Sequence, residues 1–437
     1  MTGSRRRRRS VTSAALVAVV AGGALAACGS SGSAKSSSSG SSGSGGSSNL
    51  TASAPGITAK TITIGLLNDT TGVAASTFAD GPAAAQARVD KANAEGGVDG
   101  RKLVLEVADT TSSPTVAQTA AQELVQTKGV FGIASDSALF FGAANYLTTA
   151  GVPVTGSTFD GPEWGNAANM FSYTPPTYTV YNGKSYGYDT VGRMLQKAGA
   201  KRVAILAFAS PSAALSAKQL AKAVTQLGMT NCYLNVSVPF GGVDFTADVL
   251  QMKQQKCDGA VGTFTASSNI ALAQAFKNAG MNVTQFYYTS YAQSTLDSPP
   301  ATAALAGTYS EGLLAAGHSS AAQATAQFYK DLQKYDPSYH GGLPDLGASN
   351  SWNAIDVMIE GLKLAGPNPT RESFMSKLRA VKDYTLGGLA VTPVSFDYLT
   401  GNLPSTSCAN FVKLEGNQFV AYPSDGSTIC GNKLAYP

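Results

Sequence analysis

The chain has 437 residues, 43% of them hydrophobic and 13% charged, with a formal net charge of +4. That length exceeds one comfortable core and points to two lobes. Five of the positive charges are the run Arg5 to Arg9; with residues 1–27 set aside, 26 Lys and Arg face 27 Asp and Glu, a net of about −1, so no basic stripe remains to support a nucleic-acid partner.

After the arginines comes an apolar run, Val11 to Leu25, closing in Leu25-Ala26-Ala27-Cys28. A basic start, an apolar middle and small residues at the end are the parts of a secretory signal. The run is too short, and too rich in Ala and Gly, for a comfortable membrane span. Cysteine straight after Leu-Ala-Ala resembles a bacterial lipobox, which implies cleavage of residues 1–27 and a lipid anchor on Cys28; a plain signal peptide with a chance cysteine is the alternative. The arginine run also hints at twin-arginine export, although the residues after it do not complete that pattern. Residues 28–56 form a Ser/Gly-rich tether whose only charge before Ser48 is Lys35. Such a tract buries no core, and about 20 residues of it reach roughly 25 Å.

The folded part begins near Ile57. Thr61–Leu67 reads as a strand, Gly81–Ala94 as a helix stopped by Gly96-Gly97, and Lys102–Val107 as a strand. Pro114–Thr127 is a predicted helix with proline in its first turn. Strand Val130–Ala134, helix Ala138–Ala150 and strand Val152–Thr155 follow. The alternation argues for a parallel sheet covered by helices. It then restarts: helix Ser185–Ala198, strand Arg202–Phe208, helix Ser212–Leu227, strand Tyr233–Val238, helix Phe245–Gln255, strand Gly259–Phe264, helix Asn269–Ala279, strand Gln285–Tyr288. Helices near Ala321–Lys334, Ser351–Ala365 and Arg371–Ala380 precede a β-rich tail, Gly387–Tyr436.

With Cys28 set aside, four cysteines remain, an even number that in an exported protein reads as two disulfides. Of three pairings, Cys232–Cys257 and Cys408–Cys430 are favoured. The first would join the starts of two neighbouring parallel strands, and the second brackets a hairpin turning at Glu415-Gly416-Asn417. A zinc site is the rival, but the chain has two histidines, His318 and His340, and no C-x-x-C. No metal or cofactor is expected.

The residues that carry a family resemblance are Ile62-Thr63-Ile64-Gly65-Leu66-Leu67, Ala92 to Leu103 with its Gly96-Gly97-Val98-Asp99-Gly100 phrase, Asp109, Val130-Phe131-Gly132, Gly151-Val152-Pro153-Val154 and Ser310-Glu311-Gly312-Leu313-Leu314. In this order they resemble the type I periplasmic binding proteins, in the leucine/isoleucine/valine-binding branch, over essentially all of Ile57–Val420. The resemblance implies an α/β, two-lobed Venus-flytrap fold, each lobe a parallel-rich sheet flanked by helices, with three hinge crossings. Lobe 1 would be 57–176 plus 311–391, and lobe 2 would be 177–310 plus 392–437. It implies a lipid-anchored, monomeric capture protein of an ABC importer, closing on a small solute of amino acid, amide, aromatic-acid or short-chain-acid type and delivering it to a membrane permease. A sensor of the same fold that presents its ligand to a signalling partner is the second reading. A carboxylate-based enzyme is the third; no G-x-S-x-G, P-loop, H-E-x-x-H or Rossmann fingerprint is present.

In open α/β sheets a ligand lies beyond the carboxyl ends of strands, against helix N-termini. The candidates there are Ser135, Asp136 and Ser137 in one loop and Ser157, Thr158 and Phe159 in the next. From the second unit come Phe208, Phe264 with Thr265, and Tyr291. Asp136 argues against simple carboxylate binding at its loop and for an ammonium or a hydroxyl; equally, Ser135 or Asp136 would serve as a helix cap. The family's amino-acid binders carry an acid near Ser290-Tyr291, where this chain has none. The aromatic residues, Phe140 among them, would line an apolar cleft or pack in the core.

Overall fold

The structure, a computed structural model, describes residues 50–158, 161, 163–174, 180–181, 184–312, 320–400 and 403–436. The expected signal peptide, Cys28, nearly all of the tether, Phe159 and His318 lie outside the described residues. No helix among the described residues is long and apolar enough to cross a membrane.

The first unit runs β1 (Thr61–Asn68), α1 (Ala75–Phe78), α2 (Gly81–Ala94), β2 (Lys102–Asp109), α3 (Pro114–Gln122), β3 (Ile133–Asp136), α4 (Phe141–Thr149), β4 (Val154–Gly156), α5 (Glu163–Asn166) and β5 (Met170–Ser172). Its strands form one parallel sheet in the order β2-β1-β3-β4-β5. Ile62, Ile64, Leu66 and Leu67 of β1 are all fully buried, as a strand covered on both faces requires. The strand predicted from Val130 starts only at Ile133. The carbonyls of Val130 and Phe131 instead accept from the Arg371 guanidinium, at 2.9 and 2.8 Å.

The second unit runs β6 (Val180–Tyr181), β7 (Lys184–Tyr188), α6 (Thr190–Lys197), β8 (Arg202–Phe208), α7 (Pro211–Gln226), β9 (Thr230–Val238), α8 (Thr246–Gln254), β10 (Gly259–Thr263), α9 (Ala266–Asn278), β11 (Thr284–Tyr287), α10 (Gln293–Leu296), α11 (Pro299–Leu305) and β12 (Tyr309–Gly312). Helices α12 (Ser320–Tyr335), α13 (Leu346–Ala365) and α14 (Arg371–Arg379) return to the first sheet, α13 packing on α2, β3 and β4. The tail adds β13 (Thr406–Glu415), β14 (Gln418–Tyr422) and β15 (Ile429–Tyr436). The second sheet is ordered β6-β7-β15-β13-β12-β11-β10-β8-β9, with β14 beside β13; β8 to β12 pair in parallel among themselves and the other pairs are antiparallel. Here the predicted helix Ser185–Ala198 is overturned in its first part. Tyr186-Gly187-Tyr188 pairs as a strand with β15, and Asp189 then turns the chain by accepting from Asn432 N–H at 2.7 Å and Arg193 Nε at 2.7 Å.

Both favoured disulfides are present. Cys408 and Cys430 stand directly opposite each other in the β13–β15 pair. The reason offered for Cys232–Cys257 is corrected: β9 and β10 are not neighbours, because β8 lies between them. Between Val203 and Ala204 the register to β9 jumps from Asn231 to Tyr233, leaving Cys232 as the extra residue of a bulge. A bulge re-aims its side chain out of the ladder. Cys257, in the link from α8 to β10, lies within reach, at a Cα separation of 5.9 Å.

Candidate functional site

Each sheet reverses its strand order once, between β1 and β3 in the first and between β8 and β10 in the second, with the strands' carboxyl ends facing a common cleft. Direct contact spans the cleft where the Ala266 N–H, opening α9, donates to Thr77 Oγ1 of α1 at 3.2 Å. Two adjoining cavities, of about 310 and 220 Å³, occupy the space between; both are lined by Ser157, Thr174, Ser216, Tyr288, Glu311 and Asn350.

The smaller cavity is walled by rings. Phe208 lies with its centroid 4.7 Å from Phe264 and 4.8 Å from Phe240, and Phe78 and Leu346 close the opposite side. Phe208 ends β8, Phe240 lies just past β9 and Phe264 just past β10, and beyond β8 Ser210 caps α7 at Ala213 N–H (3.3 Å). The larger cavity is the more polar of the two. Ser157 and Thr158, just past β4, share Thr174 Oγ1 with their hydroxyls at 3.0 and 3.1 Å.

Several buried polar atoms lining these cavities have no hydrogen-bond partner among the described residues: Asn350 Nδ2, both amide atoms of Gln219, Thr263 Oγ1, Asn353 Oδ1 and Asn410 Nδ2. Buried polar groups are nearly always paired, so a group of orphans around one cavity marks a place where something else supplies the partners. Glu311, on β12 at the floor of both cavities, is the one charged side chain among the described lining residues. Burial pushes its carboxyl up to about 7.

Of the candidate residues read from the sequence, Ser157, Thr158, Phe208, Phe264 and Thr265 line the cavities. Ser135, Asp136, Ser137 and Tyr291 do not. Asp136 is fully buried behind the cleft, its Oδ2 accepting from Asn68 Nδ2 at 3.1 Å and Ser351 Oγ at 2.7 Å. Burial holds its carboxyl well above the usual range. Gly81 packs directly over this network, where a Cβ would come 2.4–2.8 Å from all three side chains. Ser137 donates to Asp69 at 3.1 Å, and Asp69 also takes the Ala138 N–H at 2.7 Å. Phe140 packs on Trp164 in the core, and Tyr291 packs on Phe419. Glu311, Gln219, Asn350, Phe240 and Phe78 were not singled out as ligand residues from the sequence. The only signal for Glu311 was an acid inside the Ser310 to Leu314 phrase.

The family described as periplasmic binding protein matches the chain over residues 61–418. Among the curated proteins none matches it in sequence. Solved structures do. A fatty acid ABC transporter substrate-binding protein from Thermomonospora curvata is similar with a TM-score of 0.67 and 20% identity, over 89% of this chain and 95% of that one. A solute-binding protein of an ABC transporter from R. palustris, in complex with 4-hydroxybenzoate, is similar with a TM-score of 0.65 and 18% identity, over 86% and 97%. The branched-chain amino acid transporter substrate-binding protein of Streptococcus pneumoniae, in complex with isoleucine, is similar with a TM-score of 0.65 and 18% identity, over 86% and 100%. At these identities the likeness speaks for the fold.

Proposed function

The chain belongs to the periplasmic binding protein family and has its two-lobed type I fold, and from that premise we propose that it captures a small solute in the cleft and delivers it to the permease of an ABC importer. The observation that carries this reading is the ring of orphaned polar atoms and phenyl groups around cavities bounded by elements of both sheets. Lobe 1 is taken as 57–176 plus 311–391 and lobe 2 as 177–310 plus 392–437. The solute stabilises their closed arrangement, which the permease reads. The protein works as a monomeric carrier, not a catalyst.

A solute present at roughly 100 times its Kd stabilises the folded state by about 2.7 kcal/mol. A melting screen against amino acids, amides, amines, aromatic acids and sugars is therefore expected to show a clear shift for one solute class. A flat result across the panel, with no ligand found by mass spectrometry of the denatured protein, would count against solute capture.

The same reading places the protein outside the cell membrane, exported by residues 1–27 and held by a diacyl group on Cys28 with residues 29–49 as its tether. Residues 50–56, expected to belong to it, instead pack on the fold, Thr51 N–H donating to Asn368 Oδ1 at 2.9 Å and Ser53 Oγ to Pro369 O at 2.7 Å. Metabolic labelling with palmitate is expected to mark the wild type and to vanish in Cys28→Ser. Label that persists in the variant would overturn the anchor.

A further inference from the structure

We propose that the cleft selects a solute with a basic nitrogen on an apolar tail, the nitrogen held by the Glu311 carboxylate and the tail lodged among Phe208, Phe240 and Phe264. This rests on the cleft being the solute site.

The charge inventory carries the inference. No Lys, Arg or His lines either cavity among the described residues, and Glu311 lines both. Its carboxylate makes no hydrogen bond or ion pair among those residues. An ionised group in a low-dielectric cleft is costly unless paired, so a cation is the complement this floor lacks once Glu311 is ionised, and an anionic ligand would then meet repulsion with no compensating base among the described residues. Four backbone donors that would otherwise welcome a carboxylate at the strand ends are already engaged. Ala138 N–H goes to Asp69, Ala213 N–H to Ser210, Ala266 N–H to Thr77 and Thr158 N–H to Thr174. The amide of Gln219, and the Nδ2 of Asn350 whose Oδ1 already accepts from Tyr173 OH at 2.6 Å, leave room for one further polar, uncharged group on the solute. The phenyl walls of the smaller cavity set its tail as aromatic or branched aliphatic.

The test titrates the intact chain with phenethylamine and isoamylamine, with the matched alcohols, and with phenylpropionate and isocaproate. The amines are expected to bind at least about tenfold more tightly than the alcohols, since a charge-assisted hydrogen bond outweighs a neutral one by that order, and the carboxylates more weakly than either. Glu311→Gln is expected to lower amine affinity by at least about tenfold relative to alcohol affinity, and so to erase the preference. In the wild type the preference is expected to grow as pH rises through about 7, the range to which burial pushes Glu311. Among the described residues the other titratable side chains lining the cavities are the phenols of Tyr173, Tyr188 and Tyr288, and Lys413 on the adjoining β13 is turned to Glu415 at 2.9 Å.

Binding of all three classes without an amine preference, a pH-independent preference, or a preference that survives Glu311→Gln would overturn the assignment of solute class while leaving capture in the cleft intact. A third variant separates the two ideas. Ala213→Trp fills the apolar cavity, and if probes bind it as tightly as wild type the cleft reading falls and this inference with it, whereas no binding of any probe to the wild type overturns the solute class and leaves the cleft reading to the wider melting screen.

Discussion

Replacing Arg101 with methionine is expected to cost on the order of 4 kcal/mol of stability, because it strips donors from several buried acceptors at once. Arg101 is fully buried. No acid among the described residues pairs with it; instead its guanidinium is spread over backbone carbonyls and one side-chain amide. Nε donates to Thr58 O at 2.7 Å, one terminal nitrogen to Pro367 O, and the other to Thr51 O at 3.1 Å and Asn368 Oδ1 at 3.3 Å. The residue thus ties the segment entering β1 to the link between α13 and α14, two places more than 250 positions apart in sequence. Methionine fills much of the volume but satisfies none of these acceptors. Lysine is expected to rescue little, since a single ammonium cannot reach acceptors that the planar fork meets from separate nitrogens. The measurement is the shift in the urea midpoint of the three proteins. A loss below about 1 kcal/mol for methionine would mean that water or a rearranged loop replaces the guanidinium.

Arg101 also shows why one part of this sequence was legible. The phrase Gly96 to Arg101 reads as a helix stop followed by a turn, and the structure supplies the reasons. Gly97 has φ of 75°, and a Cβ there would come 1.9 Å from Arg101 O. Asp99 and Gly100, at φ 49° and 78°, make the tight reversal that lets Val98 and Arg101 pair across it. Local chemistry of this kind, like the proline and serine at the start of α3, travels with the sequence. The short strands Met170–Ser172 and Tyr309–Gly312 do not, because three or four residues hold no period and each is a strand only by virtue of its neighbour in the sheet.

The site divides along the same line. Ser157, Thr158, Phe208, Phe264 and Thr265 lie at or just past strand ends, and strand ends could be read from apolar runs. Asp136 also ends a strand, yet it faces Asn68 and Ser351, 68 and 215 positions away, so its withdrawal from the cleft depends on contacts no local pattern encodes. Asn350 was hidden for a different reason. The helix predicted from Ser351 begins at Leu346, capped by Asp345, and that extra turn carries Asn350 to the cavity wall.

Asp345 supplies the second large effect. It caps α13 by accepting from Ala348 N–H at 2.9 Å, and it exchanges backbone-to-carboxylate hydrogen bonds with Asp80 at 3.1 and 3.3 Å. The carboxyl is almost completely buried, and that burial, reinforced by the Asp80 charge and opposed by the hydrogen bonds, raises it from 3.8 to about 7. Below pH 4 the acid is protonated in both the folded and the unfolded chain. As pH rises toward 7 the unfolded chain ionises freely while the folded chain holds its proton, so unfolding releases a proton and stability falls; above about 7 the folded carboxylate ionises too and the decline ends. The linked loss is on the order of 4 kcal/mol. Burial moves Asp69 and Asp136 in the same direction, so the wild type is expected to be most stable in mild acid. Asparagine at 345 keeps an oxygen for Ala348 N–H but cannot ionise. Urea midpoints of Asp345→Asn followed from pH 4 to pH 8 are therefore expected to fall less steeply than those of the wild type. If the two curves run parallel, the carboxyl is already ionised at pH 4 in the folded protein, and its hydrogen bonds outweigh its burial.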